Sequence, residues 1–149
     1  MTNTSDFRTG RHVVFNLHVH LVFSTKCRRG VITDRVREFL KEAMEKVCGD
    51  FGAELMEFDG EDDHVHLLVA FPPKVAISLL VSRLKGASAY RLRKMAFPEV
   101  ERKLWGGHFW SPSYCAISCG GAPLEVIKQY IQDQRKDPPI PKKHGLTPP

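Results

Sequence analysis

The 149-residue sequence has no apolar run near the roughly 18 residues that a membrane-spanning helix requires. Its polar start, Met1 to Gly10, carries no signal-peptide pattern. Cysteine is scarce, and Cys27, Cys48, Cys115 and Cys119 form no CxxC pair. That spacing points to neither a zinc ribbon nor a disulfide framework, so a reducing, cytoplasmic setting with no membrane partner is expected. No internal repeat is visible. What is present, 42% hydrophobic and 9% aromatic residues, suits one compact domain with a core of its own. The formal net charge is +5, and basic residues crowd in Lys26 to Arg29, Arg83 to Lys94 and Arg135 to Lys143. Such a balance favours a polyanionic partner, because neutralising phosphates releases their counterions. Charge alone does not separate a nucleic-acid binder from an ordinary basic protein.

Between Val13 and Phe23 every odd position is apolar, while Asn16, His18, His20 and Ser24 occupy even positions, the period of a strand. Thr33 and Asp34 can cap a helix over Asp34 to Cys48, in which Val36, Phe39, Leu40, Ala43, Met44 and Val47 recur at three-and-four spacing and which Gly49 and Gly52 stop. A second strand at about Ala53 to Phe58, a turn at Asp59-Gly60 and a third strand from His64 to Phe71 make a hairpin. After Pro72-Pro73, Val75, Leu79, Leu80, Leu84, Ala87 and Leu92 mark one face of a basic helix that ends before Pro98. His108 to Ser118 reads as an aromatic fourth strand interrupted at Pro112. Pro123 opens a third helix through about Arg135. The tail 137–149 holds five prolines and reads as extended or mobile. The order β-α-β-β-α-β with an added helix predicts an α+β, ferredoxin-like sandwich: a four-stranded antiparallel sheet with helices on one face.

Two features carry chemistry. In a strand, side chains two apart share a face, so His64 and His66 project together while Val65, Leu67 and Val69 face the core. Two imidazoles so placed can offer ring nitrogens to one divalent metal, and Asp62 and Asp63 add negative potential. The competing reading is a pair of half-exposed histidines on a polar strand face, and His18-Val19-His20 repeats the pattern elsewhere. On the third helix, Tyr130 and Gln134 lie four residues apart and share one side. Tyrosine, with an ordinary pKa near ~10, is a weak nucleophile at neutral pH. A metal on a scissile phosphate would support its attack; an ordinary surface tyrosine on an amphipathic helix is the bland alternative.

The segments Asp62 to Val69 (DDHVHLLV), Leu84-Lys85-Gly86-Ala87-Ser88, Trp110-Ser111-Pro112-Ser113-Tyr114 and Gly120 to Ile131, with Lys26-x-Arg28-Arg29 after the first strand, resemble in order and spacing the single-tyrosine HUH transposases, the TnpA-like, IS200-type enzymes of insertion sequences that move as single-stranded DNA. The likeness spans about His12 to Gln134. Two departures stand out: Cys27, where many relatives have an aromatic or aliphatic residue, and the proline-rich tail. The resemblance implies one HUH domain over 1–136, with 1–10 flexible. It implies that His64 and His66 ligate a catalytic Mg or Mn ion, that Gln134 supplies a third ligand and that Tyr130 is the nucleophile. The tyrosine would join the 5′ phosphate of single-stranded DNA at an imperfect hairpin and leave a free 3′ hydroxyl, in a homodimer whose tyrosine helices complete each other's sites. By the same analogy Lys26, Arg28, Arg29, Arg83, Lys85 and Arg91 are candidate DNA contacts. Phe109, Trp110 and Tyr114 are available for stacking, although strand aromatics are usually core. His18 and His20 match no metal site in the family, but His20 is expected near the site because the first and third strands are neighbours. The rival functions are a non-catalytic or domesticated hairpin-binding protein of the same fold and a metal-dependent nuclease.

Overall fold

The computed structural model describes residues 7–104 and 107–119. A short hairpin comes first, β1 (Arg8–Thr9) paired with β2 (Val14–Phe15). Strand β3 (His18–Ser24) then leads through a single 3-10 turn to helix α1 (Asp34–Asp50). Strands β4 (Glu54–Glu61) and β5 (His64–Ala70), helices α2 (Ile77–Met95) and α3 (Pro98–Leu104), and strand β6 (Cys115–Ser118) complete the described chain. The last four named strands form one antiparallel sheet in the order β4-β5-β3-β6. With α1 crossing from β3 to β4 and α2 leading from β5 towards β6, this is the ferredoxin-like split βαβ arrangement. Among the described residues no helix is long and apolar enough to cross a membrane.

The core lies between α1 and α2 and one face of the sheet. Leu21, Phe23, Val65, Leu67 and Val69 meet Val36, Leu40 and Met44 of α1 and Leu80 and Leu84 of α2, and all ten side chains are completely buried. The other face carries a smaller apolar cluster of Leu68 and Cys119 with Met56 against it. Helix α1 starts where the capping pattern places it: the Thr33 side chain accepts from the Val36 backbone N–H. Gly49 stays inside the helix, and Gly52, at φ 69°, takes the left-handed position that follows it.

Several expectations need correction. The alternating run from Val13 to Phe23 is not one strand. Val14–Phe15 pair with β1 while His18–Ser24 pair with β5 and β6, and Val13 and Leu17 are exposed. The hairpin turn is Asp62-Asp63 and not Asp59-Gly60, because β4 runs on to Glu61, which pairs with His64. Gly60 is a strand glycine opposite Val65, where an added Cβ would lie 2.2 Å from the His64 carbonyl oxygen. Leu79 points outwards, and Leu80, Val81, Leu84 and Leu92 form the buried stripe of α2. Helix α3 was not anticipated. Pro98 ends the preceding path and starts this helix, with Glu99 and Glu101 in the first turn and Arg102 and Lys103 in the last, as the helix dipole favours. Regular pairing in the fourth strand is confined to Cys115–Ser118, with one bridge from Trp110 to Thr25 before Pro112. The tyrosine helix and the tail 137–149 lie outside the described residues.

Candidate functional site

The register of β5 puts His64 opposite Ser24 and His66 opposite Val22 on β3, and on the other side opposite Glu61 and Asp59 of β4. Paired residues in an antiparallel sheet share a face. The histidine pair therefore stands on the face away from α1 and α2, as the alternation of β5 predicts. The rings sit edge-to-face with centroids 4.9 Å apart. They are not half-exposed: His64 retains 5% and His66 1% of its surface. The bland reading of a solvated polar face therefore fails for both.

Each ring is held by its Nδ1. His64 Nδ1 lies 2.8 Å from Asp63 Oδ1, and the other carboxylate oxygen of Asp63 takes the guanidinium of Arg28 at 3.0 Å. His66 Nδ1 lies 3.1 Å from Nε2 of His20, with the two rings 24° from parallel. A histidine whose Nδ1 is hydrogen-bonded presents Nε2 to a ligand, the arrangement usual around protein-bound metals. Nε2 of His66 is buried and, among the described residues, has no hydrogen-bond partner. Burial, with smaller contributions from the His64 and His20 rings, pulls His66 well down to about 3, and burial pulls His20 down to about 4, so both are neutral at physiological pH. A neutral imidazole with an open ring nitrogen is the form that binds a metal. Among the described residues no third His, Cys, Asp or Glu completes a cage around the pair. Tyr130 and Gln134 lie outside the described residues.

The basic residues divide. Lys26 and Arg83 are exposed and Arg91 is partly so. Arg28, Arg29 and Lys85, also read from the sequence as DNA contacts, make internal bonds. Arg28 pairs with Asp63, and Arg29 donates to the backbone carbonyl of Lys103 at the end of α3. The Lys85 ammonium donates to the carbonyls of Ser111 and Ser113, 2.5 and 3.1 Å away, and lies over the rings of Phe23 and Tyr114. Cys27 and Arg28 both adopt left-handed backbone, φ 61° and 54°, uncommon for residues other than glycine. That turn sets Arg28 beside Asp63. Phe109 and Trp110 are core residues, the Trp110 indole donating to Ser88, whereas Tyr114 is exposed. Two site contacts escaped the sequence reading, the Asp63–Arg28 pair that orients His64 and the one that gives His66 a partner in His20. Strand adjacency brought His20 close, but only the register shows which residue it meets.

The match of an IS200-like transposase family model to most of the chain puts it among the transposases, a class of DNA-transferring enzymes. The chain belongs to the IS200-like transposase family, whose model matches residues 13–134. It is 36% identical over 129 residues to the ISDra2 transposase TnpA of Deinococcus radiodurans, covering 87% of this chain and 91% of that protein. The transposase for insertion sequence element IS200 of Salmonella typhimurium is 27% identical over 132 residues, covering 89% and 86%. A crystal structure of a Deinococcus radiodurans chain assigned as a transposase matches with a TM-score of 0.68 at 38% identity, covering 86% of this chain and 98% of that one. A REP-associated tyrosine transposase, solved bound to a REP hairpin, shares the fold with a TM-score of 0.55 at 13% identity, covering 83% and 67%.

Proposed function

We propose that this transposase cuts and rejoins single-stranded DNA at hairpin-marked ends through a 5′-phosphotyrosine at Tyr130, with His64, His66 and Gln134 holding a divalent cation, Mg or Mn. The observation that carries the reading is His66, a buried ring with Nδ1 committed to His20 and Nε2 unpaired among the described residues. Leaving a buried polar nitrogen unpaired costs on the order of 1–3 kcal/mol, a cost explained where the lone pair is kept for a ligand. Two imidazole nitrogens and an amide oxygen suit Mn and, less tightly, Mg. When bound, the cation polarises the scissile phosphate and offsets the charge that builds on it.

The remaining steps fall to the chain's own groups. The Tyr130 hydroxyl attacks phosphorus. Its Oη–P bond forms as the bond from phosphorus to the 3′ oxygen breaks, the phenolic proton is lost, and the departing strand gains one as its 3′ hydroxyl. A different 3′ hydroxyl later attacks the same phosphorus and restores the tyrosine, so no water is consumed. Exposed Lys26 and Arg83 serve as phosphate contacts along the strand. The protein works as a homodimer.

Single-stranded oligonucleotides that carry the flanking hairpins, incubated with the full chain and Mg or Mn and resolved on a denaturing gel, test the reading. A covalent protein–DNA band is expected, removed by chelator and restored by either ion. Tyr130→Phe should lose cleavage and adduct while still binding the hairpin, because only the hydroxyl is gone. Unchanged cleavage by Tyr130→Phe refutes the assignment. Cutting with no adduct in the wild type makes the protein a nuclease, and binding with neither makes it a hairpin-binding protein.

A further inference from the structure

We propose that His20 is a positioning residue for His66, accepting a hydrogen bond from His66 Nδ1 and so holding the ring in the tautomer that presents Nε2 to the cation. The inference rests on the metal-binding reading of His66 above and assigns a role to a residue which that reading leaves idle.

The register makes the contact. His66 stands opposite Val22, and His20 stands opposite Leu68, so the two histidines are diagonal neighbours on the same face of adjacent antiparallel strands. Diagonal positions are within reach of long and aromatic side chains. Nε2 of His20 and Nδ1 of His66 are 3.1 Å apart, the rings are close to parallel at 24°, and both residues are buried. Two neutral imidazoles at that distance share one hydrogen, so one nitrogen donates and the other accepts. There are two ways to arrange this. If His20 donated, the His66 proton would sit on Nε2, a buried N–H with no acceptor among the described residues. If His66 donates, its Nε2 keeps a lone pair instead, and a ligand can take it. The second arrangement costs less and is the one that binds metal. It also keeps His20 from acting as a third ligand through Nε2, since that nitrogen is engaged by His66.

The partner of His64 is different in kind. Asp63 carries a formal charge and raises the donor strength of its histidine, whereas His20 adds no charge and supplies direction alone. The pair is thus oriented by one ionic and one neutral device, drawn from the hairpin turn and from a neighbouring strand.

The test uses the full chain, with thermal unfolding to check that each variant folds. Mn binding is measured by titration calorimetry, and the ring nitrogens are read by 15N NMR without metal. In the wild type, His66 should carry its proton on Nδ1. His20→Leu removes the acceptor, and Mn affinity should fall about 10–100-fold, the usual cost of losing such a partner, with the His66 proton shifting towards Nε2. His20→Gln can place an amide oxygen near the lost nitrogen and should recover most of both. A wild-type His66 protonated on Nε2 overturns the proposal. So does a folded His20→Leu that binds Mn like the wild type while His66→Ala does not. Should His66→Ala itself bind Mn normally, the metal reading fails and takes this inference with it. If His20→Leu does not fold, the wild-type tautomer and His20→Gln decide: a Gln variant with wild-type proton position and affinity supports the role, and one that folds yet loses both overturns it.

Discussion

Strand β5 is buried along its whole length, yet its two faces are buried in different ways. Val65, Leu67 and Val69 enter a core of aliphatic side chains shared with α1 and α2, where any well-packed methyl group contributes. His64 and His66, on the alternate positions, are nearly as inaccessible, but each of their nitrogens has to be accounted for. The first face is non-directional and stabilises the fold. The second is directional, and among the described residues it leaves one buried nitrogen, Nε2 of His66, without a partner. Depth of burial does not separate the two faces; the hydrogen bonds do.

The contrast is sharpest under truncation. Leu67→Ala should lose about 2–5 kcal/mol of stability by leaving a cavity in the aliphatic core, read as a fall in the denaturant midpoint; a loss below about 1 kcal/mol would mean that this face is not the main source of stability. Gly60→Ala drives a Cβ into the backbone behind His64 and Val65. A cost of about 1–3 kcal/mol is expected, together with weakened Mn binding because the strand must move at His64. A variant with wild-type metal affinity would uncouple Gly60 from the site.

Acid separates the faces by a smaller amount. The folded pKa values of His20 and His66 lie below the ordinary imidazole value of about 6.5. The unfolded chain therefore takes up protons first as pH drops. The contribution to stability is complete above about pH 6.5 and is lost as pH falls from there towards about 4 for His20 and about 3 for His66. Denaturant unfolding at pH 7.5 and pH 5 should show the loss, with a shallower slope in His20→Leu; identical slopes would remove these rings from the pH response. The smallest stability change is expected for His66→Ala, within about 1 kcal/mol, because the lost packing is partly offset by removal of an unpaired polar atom. A large destabilisation there would make His66 a structural residue in the same sense as Leu67.

The same division governs what could be read in advance. Helix α1 and its Thr33 cap, the alternation of β5 and the shared side of His64 and His66 follow from local periodicity, and the structure has each in place. The errors came where a local signal has two uses. Asp59-Gly60 looks like a turn, but the glycine is needed for close strand approach, and the turn falls three residues later. Arg28, Arg29 and Lys85, read as candidate phosphate contacts, also pair with Asp63 or hold backbone carbonyls, and those bonds depend on partners far away in sequence. Helix α3 carried a legible Pro-Glu start and a basic end that went unread.

By itself the sequence determined the alternation that sends Val65, Leu67 and Val69 one way and His64 and His66 the other, since a strand's side chains have a period of two whatever surrounds it. It also supplied the motif order by which the family could be named. Which residue stands behind each histidine was decided by the tertiary structure alone. His20 lies 46 positions from His66 and Arg28 lies 35 from Asp63, and pairings at such distances depend on strand register and loop path, which no short window of residues contains.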